Sequence, residues 1–181
     1  MKKTGVHGVG NQFGFTLLEI MAVLAVMSIL AATGIIGYGK MAAVTQLEKD
    51  VLTVYKELTS LKTLVMKFDK PTAVKFSSNS VTIDKFTKKE TLTMQAPVTF
   101  ASAASGPSST PFNEAITSGS GGKGDWKDSL VVKRDALFSI NSGYVLMSSS
   151  KVKSVTYYLG VSGKYQGIQL YKWTGGSWVK Q

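Results

Sequence analysis

The sequence predicts an α+β protein in which a long N-terminal α-helix packs against a C-terminal antiparallel β-sheet. Three observations lead to this prediction. Glu19 is the only charged side chain in the apolar run from Phe15 to Gly37. Apolar residues then recur at three- and four-residue steps as far as Phe68, which is typical of an amphipathic helix. From Leu130 onward, short β-rich segments alternate with glycine-containing turns.

The first part of the predicted helix, residues 15–39, is long and apolar enough for a membrane. At about 1.5 Å per residue, a run of about 23 residues crosses a bilayer core of roughly 30 Å. A carboxylate in such a segment costs on the order of 2.5–3.5 kcal/mol on insertion scales. Glu19 therefore needs a partner. A cut between Gly14 and Phe15 would create an amino terminus within about one helical turn of Glu19, in the same chain or in a neighbour.

Residues 14–19, Gly-Phe-Thr-Leu-Leu-Glu, follow a short basic leader and run directly into the apolar helix. This arrangement resembles the class III signal of type IV pilins and prepilin-like proteins. The resemblance implies that a prepilin peptidase removes the leader, residues 1–14, by cutting after Gly14, and methylates the amine of Phe15. It also implies that Glu19 pairs with the Phe15 amine of an adjacent subunit during filament assembly.

The resemblance further implies the partners and the location of the protein. The chain would form a homopolymer with itself through its N-terminal helix, after contact with the peptidase and with the pilus assembly machinery of the inner membrane. The precursor is expected in the inner membrane and the mature protein in an extracellular filament on the cell surface. The resemblance covers about the first third of the chain.

Two ordinary targeting signals are alternatives for the same residues. A secretory signal also has a basic start, here Lys2 and Lys3, but its apolar core is typically 7–15 residues and Glu19 would interrupt it. Cleavage of such a signal would fall near Ala32. A plain single-pass anchor is the second alternative, and neither alternative requires a glycine before Phe15.

The second part of the helix, residues 40–70, is amphipathic. Its apolar stripe consists of Val44, Leu47, Val51, Val54, Leu58, Leu61, Val65 and Phe68. Such a stripe is normally buried against another layer, so we expect the sheet to pack on it. Pro71 ends the helix because proline lacks the backbone N–H that a helix interior requires.

Three glycines, Gly34, Gly37 and Gly39, lie where the apolar part ends. Each weakens a helix by about 1 kcal/mol relative to alanine, so they are candidates for bending or local melting. Close helix–helix approach at Gly34 is the competing explanation. Phenylalanine at the start of the mature chain favours the type IVa branch of pilins, whereas the 14-residue leader and the missing helix proline favour type IVb.

Beyond the helix, residues 40–181 are predicted to form a globular head. Residues 71–129 are expected to be an irregular region with two weak strands, Val81–Phe86 and Leu92–Met94, and a long loop at 101–124. Residues 130–181 are expected to form an antiparallel meander. Its predicted strands are Leu130–Val132, Ala136–Ile140, Tyr144–Met147, Val155–Val161, Ile168–Trp173 and Ser177–Val179. Aromatic residues on these strands are expected to pack the sheet; a sugar- or cell-binding surface is the alternative.

Composition argues against an enzyme. The chain contains no cysteine, and its one histidine, His7, lies in the leader, so the mature chain would lack both thiol and imidazole chemistry. Asp125 and Asp128 are weak candidates for a calcium site beside a glycine-rich stretch, but two carboxylates fall short of the six to eight oxygens that calcium binds. No cofactor is expected.

The net charge of +10 does not by itself indicate nucleic acid, because the lysines are scattered and Arg134 is the one arginine. The sequence thus favours a structural subunit, a major pilin of a bacterial type IV pilus. A type II secretion pseudopilin or a minor pilin is the first alternative, and a signal-anchored periplasmic binding domain is a more distant one. Adhesion, motility, DNA uptake and conjugation all use similar subunits.

Overall fold

The computed structural model describes residues 15–86, 88–101, 106–113, 115, 122–123, 129–133, 143–161 and 167–181. The chain divides into two compact units, Met1–Gly39 and Lys40–Gln181. The leader and the predicted strand Ala136–Ile140 lie outside the described residues. The fold is α+β, with one long N-terminal helix and two antiparallel sheets, which confirms the predicted class.

Helix α1 spans Leu17–Phe68, 52 residues. It ends where Asp69 adopts a left-handed backbone with φ 49°, a conformation common at the residue after a helix. Pro71 follows two residues later and cannot continue the helix. The predicted end of the helix is therefore confirmed, and its cause is a left-handed residue together with a proline.

The strands fall after the helix, in the second unit. They are β1 (Thr72–Phe76), β2 (Ser80–Lys85), β3 (Lys88–Thr93), β4 (Val98–Thr99), β5 (Gly122–Lys123), β6 (Ser129–Val132), β7 (Gly143–Ser149), β8 (Val152–Val161), β9 (Ile168–Trp173) and β10 (Trp178–Lys180). Sheet A has the order β3-β2-β1-β6, and sheet B has the order β10-β9-β8-β7-β4, with β5 also paired to β7.

Sheet A differs from what the sequence predicts for residues 71–129. Three regular strands occupy 72–93, where an irregular path with two weak strands is expected. In β1 and β2 the side chains that face the helix, among them Val74, Val81 and Ile83, are fully buried. The other face carries Ala73, Lys75 and Thr82, so the alternation is present, but alanine and lysine are less frequent in strands and lower the strand propensity of this segment.

Sheet B contains most of the predicted meander. Strands β7 to β10 follow one another as antiparallel neighbours, and their positions match the predicted segments to within a few residues. β6 departs from the prediction because it pairs with β1 and so belongs to sheet A. Periodicity identifies a strand from its own residues but carries no information about which strand it will pair with.

The main core of the second unit lies between α1 and the two sheets. Six residues of the predicted stripe are buried by more than 98%: Leu47, Val51, Val54, Leu58, Leu61 and Val65. They contact residues from both sheets, including Val74 of β1 and Leu159 of β8. The stripe is shorter than predicted, since Val44 is half-buried and Phe68 is exposed, packing on Phe86 with ring centroids 5.6 Å apart.

A second cluster covers the opposite face of sheet B. Tyr144, Leu146 and Tyr158 are buried there, with Tyr171 and Trp178 packed against them. A segment at 106–113 lies against this face: the Phe112 ring contacts Tyr158 and Tyr171, and Trp178 Nε1–H donates to the Ser109 carbonyl at 2.8 Å. Aromatic residues on both faces of sheet B therefore serve packing.

Candidate functional site

The start of α1 is defined by the threonine of the class III sequence. The backbone N–H of Glu19 donates to Thr16 Oγ1 at 3.2 Å and to the Thr16 carbonyl at 3.1 Å. Ile20 N–H donates to the same carbonyl at 3.2 Å. Thr16 is thus the N-cap of α1, and Glu19 is the third helical residue. The backbone N–H groups in the first turn of a helix have no acceptor within the helix, and the Thr16 hydroxyl supplies an acceptor for one of them, that of Glu19.

Phe15 and Glu19 lie on the same side of this first turn. Together with Ile20, Val23 and Leu24 they line an open apolar hollow of about 260 Å³. Phe15 is 79% exposed. The residue before an N-cap commonly packs on the fourth helical residue, here Ile20, and fixes the direction in which the chain enters the helix. Phe15 and Glu19, which supply the two groups of the expected charge pair, therefore lie on the same face at the start of α1.

The apolar side chains of the first unit are exposed. Large hydrophobic residues that have no cover within the described chain are Phe15, Leu17, Leu18, Ile20, Met21, Val23, Leu24, Val26, Met27, Ile29, Leu30, Ile35, Ile36 and Tyr38. Among the described residues, α1 is the one helix long and apolar enough to cross a membrane. An exposed apolar surface of this size indicates contact with lipid or with another protein.

The three glycines predicted to allow bending are all helical. A Cβ built on Gly34, Gly37 or Gly39 would meet nothing within 4 Å. Their surroundings in this chain therefore leave both explanations in place, and bending or melting at this point stays a prediction. Gly14, the residue predicted to precede the cleavage, lies outside the described residues.

The weak calcium candidates Asp125 and Asp128 also lie outside the described residues. Within the described ranges, no three side chains of histidine, cysteine, aspartate or glutamate are grouped so that they could hold a metal ion. No catalytic role is proposed for any residue.

Asp50 is a buried acid that sequence reasoning missed. Only 8% of the residue is exposed, and it lies on the buried side of α1. Gln46 Nε2 donates to Asp50 Oδ1 at 2.8 Å, and Gln95 N–H donates to Oδ2 at 3.2 Å. Burial raises the pKa of Asp50, while the hydrogen bonds from Gln95 and Gln46 and the charge of Lys49 act in the opposite direction. Asp50 ties the helix to the segment after β3.

Lys85 connects α1 with sheet A. Its ammonium lies 2.8 Å from Glu57 of α1 and 2.7 Å from Glu90 of β3. The hydrogen bond to Glu57, and then that to Glu90, raise the pKa of Lys85. Because these groups are partly exposed, the ion pairs contribute little stability, on the order of 0–1 kcal/mol each. They align the helix with the sheet.

Thr16 is the second residue that sequence reasoning missed, although its signal is visible in the sequence. Thr16 and Glu19 stand at the spacing of a capping box, in which a threonine at the N-cap is followed three residues later by a glutamate.

Comparison with known proteins supports the interpretation of this region. Residues 10–35 match the family model described as the prokaryotic N-terminal methylation motif. No curated protein and no solved structure matches the chain. The match, with the long apolar helix, fits a membrane-anchored precursor of a pilin-like or pseudopilin protein. The chain carries the class III signal of type IV pilins and prepilin-like proteins.

Proposed function

We propose that this chain is a major pilin, the structural and non-enzymatic subunit of a bacterial type IV pilus. The observation that carries the proposal is the coincidence of the methylation motif at 10–35 with a helix whose apolar side chains are exposed. The same helix buries a separate stripe within the second unit. The mature chain thus combines a folded head with an apolar segment that needs cover from outside the chain.

The cover changes with the stage of assembly. In the precursor, lipid surrounds residues 15–39. In the filament, the corresponding helices of other copies replace the lipid, and the apolar surface stays out of water throughout. At about 25 cal/mol per Å² of apolar surface, exposure of this segment to water would be strongly unfavourable. Assembly from the membrane therefore requires no stage in which the segment is hydrated.

Glu19 supplies the specific contact in this transfer. Before cleavage the apolar run offers it no cation. After cleavage, the amine of Phe15 in an adjacent subunit is the partner that neutralises it. An unpaired charge in an apolar environment is costly, so a copy that docks with its amine beside Glu19 is favoured over one that docks out of register.

Processing gives the first test. We expect the mature protein to begin at Phe15 with a methylated amine, and Gly14→Val to accumulate as a membrane-bound precursor. Mass spectrometry of the N-terminus, in cells with and without the peptidase, measures both. A terminus near Ala32 or Thr33 would show that an ordinary secretory signal is being cleaved instead.

Assembly gives the second test. We expect Glu19→Ala to be cleaved normally and to retain a folded head, yet to form few or no fibres, because the charge that fixes the docking position is gone. Fibres sheared from cells and weighed against total cellular protein give the yield. Glu48→Ala, which removes a carboxylate from the head region of the same helix, serves as the control. Normal yield from Glu19→Ala would remove the assembly role assigned here.

Abundance separates a major pilin from the alternatives within the same machinery. A major pilin is the bulk protein of sheared fibres. A minor pilin or a type II secretion pseudopilin carries the same N-terminal signal but would be a trace component of such fibres or absent from them.

A further inference from the structure

The hydrogen bond between Thr16 and Glu19 suggests a role for a residue outside the charge pair itself. We propose that Thr16 is a positioning residue for the pair: its hydroxyl fixes the start of α1, and with it the place of the Glu19 carboxylate relative to the Phe15 amine. This inference rests on the proposed function, because it concerns the same charge pair.

The cap acts directly on the residue that carries the charge. Thr16 Oγ1 accepts from the backbone N–H of Glu19, at 3.2 Å. The same N–H also donates to the Thr16 carbonyl at 3.1 Å, which Ile20 N–H shares. In lipid or in a bundle of apolar helices no water replaces the hydroxyl, so its loss would leave only this shared carbonyl as an acceptor. The hydroxyl therefore holds the first turn closed in the environment where fraying is least compensated.

A defined helix start matters because of helix geometry. A shift of one residue in the helix start changes which residues belong to the first turn, and successive helical residues are separated by a rotation of about 100° and a rise of about 1.5 Å. With Thr16 as the cap, Glu19 stands on the first turn and faces the same hollow as Phe15. Loss of the hydroxyl removes one of the two acceptors of the Glu19 N–H, so the first turn frays more easily and the position of the carboxylate is less well fixed.

The packing of Phe15 supports the same conclusion. Phe15 and Ile20 line the hollow together, on either side of the cap. These are the residue before the cap and the fourth helical residue, the two positions whose side chains commonly set the direction in which a chain enters a helix. The cap and this arrangement place both groups that each copy would contribute to the charge pair at the start of α1.

Three substitutions at Thr16 test the role of the hydroxyl. Thr16→Val keeps the shape of the side chain and removes the acceptor, whereas Thr16→Ser and Thr16→Asn keep an acceptor. We expect Thr16→Val to lower the fibre yield per cleaved subunit by about fivefold, the factor that corresponds to loss of one helix cap. Thr16→Ser and Thr16→Asn should assemble at close to the wild-type yield.

Thr33→Val is the matched control. The Thr33 hydroxyl donates to the Leu30 carbonyl inside α1 and caps no helix end. Its loss should leave the yield unchanged. If Thr16→Val and Thr33→Val assemble equally well, the cap does not position the pair and the inference is overturned.

A double-mutant cycle distinguishes positioning from general helix stability. Glu19→Gln keeps a hydrogen-bonding side chain of the same shape and should retain a measurable part of the fibre yield. In that background Thr16→Val should have little further effect, because the hydroxyl acts through the carboxylate. Additive losses would overturn the inference and make Thr16 a purely structural cap. Normal fibres from Glu19→Gln itself would instead count against the proposed charge pair, so the two failures can be told apart.

Discussion

The two halves of α1 differ in where their apolar side chains find cover. In the first unit, side chains from Phe15 to Tyr38 are exposed, and the chain provides nothing that covers them within the described residues. In the second unit, the stripe from Leu47 to Val65 is fully buried under two sheets. One helix therefore carries two apolar surfaces, one that the protein core covers and one that no described residue covers.

Each half also contains one acid at a position where an acid is costly. Asp50 has its partners within its own chain, the side chain of Gln46 and the backbone of Gln95. Glu19 donates its backbone N–H to Thr16 Oγ1. For its carboxylate we propose a partner outside the folded chain, the Phe15 amine that cleavage would create. The difference teaches that the second half finds its apolar and polar partners within the chain, whereas the apolar side chains of the first half find no cover among the described residues, as the proposed contact with other copies requires.

Removal of the first half of α1, compared with removal of the whole helix, should give the largest contrast. A fragment beginning at Met41 keeps the buried stripe and should be soluble, monomeric and cooperatively folded. A fragment beginning after Pro71 loses six fully buried side chains, and the burial of each contributes about 1.5–3 kcal/mol. Together they contribute as much as, or more than, the about 5–15 kcal/mol that holds a domain folded. It should aggregate or remain unfolded, as circular dichroism and sedimentation would show. Equal stability of the two fragments would mean that the sheets have a core independent of α1.

Single truncations within the second half should give the next largest effect. Leu58 is fully buried, and Leu58→Ala in the Met41 fragment should lower the free energy of unfolding by about 2–5 kcal/mol, measured by urea denaturation. Leu52, on the same helix, is 41% exposed, and Leu52→Ala should change it by about 0.5 kcal/mol or less. Similar losses from both variants would contradict the assignment of buried and exposed faces.

Substitution of Asp50 should give the smallest effect, and its sign depends on pH. Burial raises the pKa of Asp50 in the folded state above its ordinary value of 3.8. Between these two pKa values the folded state binds more protons than the unfolded state, so the contribution of Asp50 to the free energy of unfolding falls as the pH rises. Asp50→Asn removes this loss and keeps an oxygen acceptor. Its stability relative to wild type should therefore increase as the pH rises from about 4 toward neutrality.

Urea denaturation of the two proteins across this pH range measures the difference, with Asp84→Asn as the control for loss of an exposed charge. A relative stability that falls as the pH rises would show that the hydrogen bonds from Gln46 and Gln95 outweigh burial at this site.

The sequence was sufficient for those parts whose signal is local. The helix, its apolar stripe and its end at Pro71 follow from spacing, and strands β7 to β10 follow from alternation between turns. β3 was missed in part because Lys88, Lys89 and Glu90 lie on an edge strand, where charges are frequent and a strand resembles a loop.

The rest depends on contacts between residues that are distant in the chain. The sequence around Asp50 resembles a polar helix face, and its partner Gln95 lies far along the chain, so nothing nearby reveals its burial. At the start of α1, by contrast, both Thr16 and Glu19 were visible in the sequence. Only the hydrogen bond showed that the threonine acts on the glutamate.

The position of β6 has a consequence for the order in which the head forms. Thr72 of β1 pairs with Val132 of β6, so the edge of β1 stays open until a much later part of the chain arrives. Closing such a long loop is slower than forming the local pairs of β7 to β10. An open edge can meanwhile accept a strand from another molecule. We therefore expect newly made copies to be most prone to mispairing at β1, and their protection to begin only when residues 129–132 have been synthesised.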